Sequence, residues 1–373
     1  MDCQIYAVIR FHYRQCFEAP RGDVMQKSIL AAFALFLGTS AAAAATCNLP
    51  DVADKVGLKQ LRGTALVTVP VAINGKPRQL LLDIGTKPTK ISQATVAELG
   101  LPEVNRATET IDTQHFGGDL NFGSPTVQAT VRRTGNGSNP ETFGARVRLS
   151  SFTIGDATGK NLVFMIAKDG DLAKDAPYDG LLTNAFFKQY DVEIDFGAMQ
   201  MTWLTPTKCT DPTQVAYWTN DGVAVVPMIV ENGLFKIPVS IDGHSFTAAI
   251  DTSAEHTVMR RDVAEQTMGL KADTPDMMPA GDTKDGLGQT VYRHVFPKIA
   301  LMGAGGVTAA NIPALISANN IVGADKEKVL GSQARSADAR IPDLVLGMDV
   351  LHHLHIYAVF GQKRLYITQV FFS

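Results

Sequence analysis

The sequence predicts an all-β protein of two pseudo-symmetric lobes with a few short helices, and three observations carry that reading. The first is an internal repeat, which sets the architecture before any single element is assigned. Moved by 168 residues, "PVAINGKPRQLLLDIGTKPTKI" (70–91) lies over "PVSIDGHSFTAAIDTSAEHTVM" (238–259) without a gap. Pro70/Pro238, Val71/Val239, Ile73/Ile241, Gly75/Gly243, Asp83/Asp251 and Thr89/Thr257 coincide. The second is a later block that repeats in the same order. Moved by 164 residues, "DGLLTNAFFKQYDVEIDFGAMQMTWL" (179–204) lies over "DLVLGMDVLHHLHIYAVFGQKRLYIT" (343–368), matching Asp179/Asp343, Leu182/Leu346, Phe196/Phe360 and Gly197/Gly361. The third is local: Val69, Val71 and Ile73 alternate up to Asn74-Gly75, as Ile237, Val239 and Ile241 do up to Asp242-Gly243. Both dipeptides favour two-residue hairpin turns, because their residues tolerate the positive φ such turns need.

Taken in chain order, residues 1–24 read as an upstream extension outside the mature protein. Residues 25–45, "MQKSILAAFALFLGTSAAAAA", read as a signal peptide: Lys27, an apolar run from Ile29 to Leu37, then Ala43-Ala44-Ala45 before the expected cleavage. The uncharged stretch from Ser28 to Ala45 is largely alanine rather than the bulky apolar residues of a spanning helix. A periplasmic or secreted protein without stable membrane insertion is therefore expected. Lobe 1 is assigned to 46–210, a linker to 211–222 and lobe 2 to 223–373. Of the four cysteines, Cys47 and Cys209 remain in the mature chain. An oxidising compartment makes them a candidate disulfide. Two unpaired cysteines is the other reading, since spacing alone does not give the Cα separation that a bridge requires.

The chain has 373 residues, 45% of them hydrophobic and 19% charged, enough for two domains of ordinary size. A formal charge of -3 supplies no basic surplus for a phosphate backbone, so no nucleic-acid partner is expected. In each lobe the strand after the hairpin turn, 78–83 or 245–251, carries its aspartate out at the far end of an apolar run. Short helices are expected at "TVAELGL" (95–101) and "DVAEQTMGL" (262–270), with Thr95 and Asp262 placed to cap them. The glycine-rich stretches "HFGGDLNFGSPTV" (115–127) and "GDTKDGLGQTVY" (281–292) suit hairpin tips, and 134–141 suits an exposed loop. The later block reads in both copies as an apolar strand, a short helix and a second hairpin.

Asp83-Ile84-Gly85-Thr86 and Asp251-Thr252-Ser253-Ala254 each follow such a hairpin, and each precedes an apolar-apolar-Gly-like element by about 100 residues. Together they resemble aspartic peptidases of the retropepsin-like type, over about residues 60 to 370. The resemblance implies two acid-protease β-barrel lobes, each giving one aspartate loop, which meet about a pseudo-two-fold axis. Because both copies lie in one chain, as in the pepsin branch, a monomer with intramolecular lobe pairing is implied rather than a homodimer. It further implies catalytic Asp83 and Asp251, supporting roles for Ile84, Gly85, Thr86, Thr252, Ser253 and Ala254, a peptide or protein substrate, and neither cofactor nor metal. The expected activity is that of an exported aspartic endopeptidase; the alternative is an inactive binding or regulatory protein on the same fold.

The chemistry explains the pair. Two carboxyls at hydrogen-bond distance cannot both ionise cheaply, so they share a proton and titrate as a unit. The sequence departs from the family pattern at three places. Ile84 stands where a hydroxyl residue normally grips the opposite loop, whereas Thr252 keeps that hydroxyl. Ser253 replaces a glycine, so its Cβ must be accommodated. Gly347 completes the apolar-apolar-Gly element after Val345 and Leu346, but its counterpart is Thr183. Thr86 matches the family residue that hydrogen-bonds the aspartate, and Ala254 matches the retropepsin variant of it.

Other candidates are weaker. On a helix, His352 and His355 of "LHHLHIY" would share a face and His353 would point elsewhere, with no third metal ligand at a usual spacing. His115 and His256 read as polar loop residues near substrate. No Gly-x-Ser-x-Gly elbow is present, and "KDGDLAKD" (168–175) lacks the spacing of a calcium loop.

Overall fold

The computed structural model describes residues 9–11, 47, 50–85, 89–104, 145–168, 170–173, 175–184, 190–220, 222–231, 234–285, 288–318 and 341–370. The expected signal peptide, the glycine-rich stretch 115–127, the loop 134–141, Thr86 and His115 lie outside them.

Each lobe is a closed six-stranded barrel. In lobe 1 the hydrogen-bonded order is Val67–Ile73, Lys76–Asp83, Gly180–Thr183, Lys90–Ile91, Ala157–Ile166 and Arg146–Ile154, which pairs back onto Val67–Ile73. Lobe 2 repeats the order with Leu234–Ile241, His244–Ile250, Leu344–Leu346, Val258–Arg260, Val307–Ser317 and Thr290–Leu301, which closes on Leu234–Ile241. Closure leaves each barrel without a free edge along its cycle. The predicted hairpin turns are present: Asn74 and Gly75 have φ of 48° and 76°, and Asp242 and Gly243 have 49° and 84°. In lobe 2 the described residues of the stretch 281–292 include the ends of the paired strands Met278–Lys284 and Thr290–Leu301, where Lys284 lies opposite Thr290.

The second hairpins of the two lobes join in one sheet. Its six strands run Ala224–Pro227, Arg364–Gln369, Leu354–Val359, Asp191–Asp195, Gln200–Leu204 and Val52–Gly57. The lobes meet at its centre, where Ile194 pairs with Ile356 and Asp195 with His355. Trp203, Phe196, Tyr357 and Tyr366 are fully buried, and one hydrophobic cluster runs through both lobes. A three-residue strand, Ile9–Phe11, pairs with Val307–Ala309 of lobe 2. Among the described residues no helix is long and apolar enough to cross a membrane.

Two helix starts differ from the sequence reading. Ser92, not Thr95, caps the helix Gln93–Glu98: its hydroxyl accepts from the Thr95 N–H at 3.0 Å, while Thr95 points inward to Asp179. In lobe 2 the helix Arg261–Met268 starts after Arg260, with Asp262 in its first turn and Gly269 left-handed at its end. Within the segment 211–222, Asp211 caps the helix Pro212–Val215, and Val215 is buried. Cys47 and Cys209 are joined by a disulfide with a Cα separation of 5.3 Å. It abuts a cluster formed by Leu204, Val215, Tyr357, Val359 and Tyr366.

Candidate active site

Leu80, Leu81 and Leu82 are buried in the barrel wall, and the strand Lys76–Asp83 ends with Asp83 paired to Thr183 of the parallel neighbour. His244–Ile250 delivers Asp251 in the same way beside Leu344–Leu346. Both carboxylates are buried, Asp83 to 1% exposure and Asp251 to 6%.

Thr252, fully buried, links the two loops. Its Oγ1 accepts from the Ile84 N–H at 3.1 Å and donates to the Leu82 carbonyl at 2.7 Å, so one hydroxyl from lobe 2 holds both sides of the Asp83 turn. Ile84 is buried too but has no hydroxyl with which to return the grip. Gly85 stands between the acids. Its N–H donates to Asp83 Oδ1 at 3.0 Å. A Cβ on Gly85 would lie 2.6 Å from Asp251 Cγ, closer than any real contact. Only a glycine lets the first loop press on the second carboxylate. Gly85→Ala should therefore separate the loops, costing about 1–3 kcal/mol by overpacking; urea unfolding measures it, and an unchanged midpoint would contradict the packing.

Asp251 is held by its own loop. Ser253 donates to Oδ1 through both its N–H and its hydroxyl, each at 2.8 Å, and the Ala254 N–H donates to the same carboxylate. Burial pushes the Asp251 carboxyl above the usual carboxylate range, and those donors pull the other way. The Ser253 Cβ is accommodated with the side chain turned toward Asp251. The Ala254 carbonyl accepts from the Met348 N–H at 2.7 Å, which ties the loop to the helix Met348–Leu351.

A second tier repeats in both lobes. Thr89 Oγ1 accepts from the Thr183 N–H at 3.3 Å. Thr257 Oγ1 accepts from the Gly347 N–H at 3.2 Å and donates to Asp349 Oδ1 at 2.7 Å. Gly347 is obligatory, since a Cβ there would lie 2.5 Å from the His256 carbonyl. Lobe 1 carries a fully buried Thr183 in that place, sharing a 3.0 Å hydrogen bond with Thr89.

Two residues near the site went unremarked in the sequence. Asn184, buried, donates from Nδ2 to the Ile84 carbonyl at 3.2 Å. Tyr178 takes a hydrogen bond from the Ala173 backbone, and its phenol is pushed up mainly by burial and further by the charge of Asp83. Neither has a counterpart in the second copy, where Met348 and Pro342 stand, so the repeat gave no signal for them.

The histidine run is not arranged as a helix face. The helix ends at Leu351, and His355 lies buried in the strand Leu354–Val359. Its Nε2 meets Glu193 Oε1 at 2.7 Å, its Nδ1 meets Asp195 at 3.4 Å, and Trp218 stacks on its ring at 4.3 Å. Tyr217 donates to the other Glu193 oxygen. His352 bonds the Met348 carbonyl and packs on His353, whose pKa is held down to about 4 by burial and by that neighbour. Among the described residues no three ligating side chains group as a metal site would require. His256 is exposed, with its main chain against Gly347.

Two closed barrels, a sheet shared between them and one aspartate loop from each define a tandem, two-lobed aspartic protease-like fold. The aspartyl protease family model matches residues 237–350, which hold Asp251 and its loop. Among solved structures, basic 7S globulin from soybean is 12% identical, covering 84% of this chain and 94% of that one, with a TM-score of 0.43. Conglutin gamma, a basic 7S globulin from lupine seeds, is 11% identical over 86% of this chain and 95% of its own, with a TM-score of 0.45. The structure described as edgp gives the same identity of 11%, the same coverages of 86% and 95%, and a TM-score of 0.45. No curated protein matches.

Proposed function

We propose that the chain is an exported aspartic endopeptidase acting on extended peptide or protein segments in the periplasm or outside the cell. The observation that carries this reading is the Thr252 hydroxyl bonded to both sides of the Asp83 turn, with Gly85 packed on the Asp251 carboxylate. The two acids then act as one dyad. The ionised member takes a proton from a water, whose oxygen attacks the scissile carbonyl carbon, and the neutral member donates its proton to the carbonyl oxygen. The resulting tetrahedral species collapses as the member that took the water's proton passes it to the leaving nitrogen and the other member takes a proton back from a hydroxyl of the adduct, breaking the C–N bond and restoring the dyad's single shared proton. Raised proton affinity at Asp251 suits a dyad that must keep one proton in weakly acidic solution. The Cys47–Cys209 disulfide fits the oxidising compartment of an exported protein.

A second reading, a binding or regulatory protein without turnover, draws on the one-sided grip: Ile84 has no side-chain hydroxyl to return to lobe 2. One experiment separates them. Purified protein is assayed for cleavage of an unfolded protein from about pH 3 to 7, a range that brackets carboxyl titration. Asp83→Asn and Asp251→Asn should each lower the rate by about 10²-fold to 10⁴-fold or more, the range for a lost acid–base group. Retained cleavage in either variant would refute the dyad, and no cleavage by the parent at any pH would favour the binding reading.

A further inference from the structure

We propose that Ser253 is a positioning residue for Asp251, supplying from the second loop position a hydroxyl that orients this carboxylate and favours its ionised form. The inference rests on the dyad reading above for its catalytic meaning, though the hydrogen bonds stand without it. The loops are not equivalent at this place. Gly85, the mirror of Ser253, has no side chain, and its N–H alone reaches Asp83 from that residue. Ser253 offers two donors to one oxygen, N–H and Oγ, both at 2.8 Å from Asp251 Oδ1. Ala254, the next residue, has no hydroxyl of its own to offer. Ser253 thus supplies a side-chain hydroxyl that neither Gly85 nor Ala254 possesses.

The physical effect has a definite sign. A hydroxyl donating to a carboxylate stabilises the charged form, and in a buried site such charge-assisted bonds are stronger than neutral ones. Two donors on a single oxygen also fix the rotation of the carboxylate plane, leaving Oδ2 with a defined direction. Other titratable groups around the loop are Asp83 across the pseudo-axis, exposed Glu255 and His256 further along the chain, and Asp349, whose oxygens are taken by Thr257. Asp83 shares the buried site, so loss of the serine hydroxyl alters how the pair divides its proton.

Two measurements on the intact protein test this together. In the first, ¹³C-aspartate-labelled protein is titrated by NMR, with Asp251→Asn to assign the Asp251 carboxyl signal. Ser253→Ala should move the Asp251 midpoint to higher pH, and Ser253→Thr, which keeps the hydroxyl, should restore it. In the second, the pH–rate profile of Ser253→Ala should lose about 10-fold in kcat/KM at the acid end, from one lost bond to a charged group, with little change near neutrality. Ser253→Gly serves as the smaller replacement where the alanine variant does not fold. An unmoved midpoint in a folded hydroxyl-free variant overturns the proposal. A moved midpoint in a protein that cleaves nothing upholds the positioning role and sinks the peptidase reading alone.

Discussion

Thr252→Val lowers the stability of the protein by about 2–6 kcal/mol, since each of two buried polar groups left without its partner costs about 1–3 kcal/mol. Valine keeps the shape and replaces Oγ1 by a methyl. The Ile84 N–H and the Leu82 carbonyl then each lose a partner inside the protein, at 3.1 Å and 2.7 Å respectively. Urea denaturation should show a lower midpoint with an unchanged slope, the sign of altered stability rather than altered compactness. Thr252→Ser keeps the hydroxyl and should cost much less. Cleavage activity should fall with the valine variant, because the two aspartate loops are no longer joined by the same atom. A valine variant as stable as the parent would mean that the two loops are held by packing alone.

The second large effect is at the disulfide. Cys47→Ala combined with Cys209→Ala should destabilise the protein by about 2–5 kcal/mol, the usual consequence of removing a native bridge. The sequence separation is 162 residues, so the bridge restricts the unfolded chain over a long loop. Its loss should be felt first around Cys47, whose N–H donates to Gln214 at 2.9 Å, and in Val52–Gly57, the outer strand of the shared sheet. A reducing agent should lower the parent's thermal midpoint and leave the double variant unmoved. Equal responses from both would show that the cysteines are not bridged in solution.

Much of this was legible because the chain says the same thing twice. The hairpins at 74–75 and 242–243 and the strands that deliver Asp83 and Asp251 follow from turn chemistry and alternation, which are local. What local pattern does not carry is partner choice. The second hairpins read alike in both copies, yet they join across the lobes, with Ile194 on Ile356, a pairing separated by well over a hundred residues. His355 shows the same limit: its spacing suited a helix face, but Glu193 from the other lobe and Trp218 from the connecting segment bury it in a strand. At the site, Asp83 and Asp251 were legible from the repeat, while Thr252 and Gly85, which face Ile84 and Ser253 in the other copy, were legible only through the resemblance of the aspartate loops to the family motif. Asn184 and Tyr178 were not, because the copies differ there and a single buried amide or phenol leaves no periodic trace.

The one-sided hydroxyl also gives the duplication a direction of no return. Two identical halves, fresh from a gene doubling, can each be exchanged for the other. Here the first half carries isoleucine at 84 and has nothing to offer a twin, while the second, with Thr252, still bears the group that would clasp one. Giver and receiver have become separate parts. The tether between them keeps the half that gives the hydroxyl beside the half that receives it.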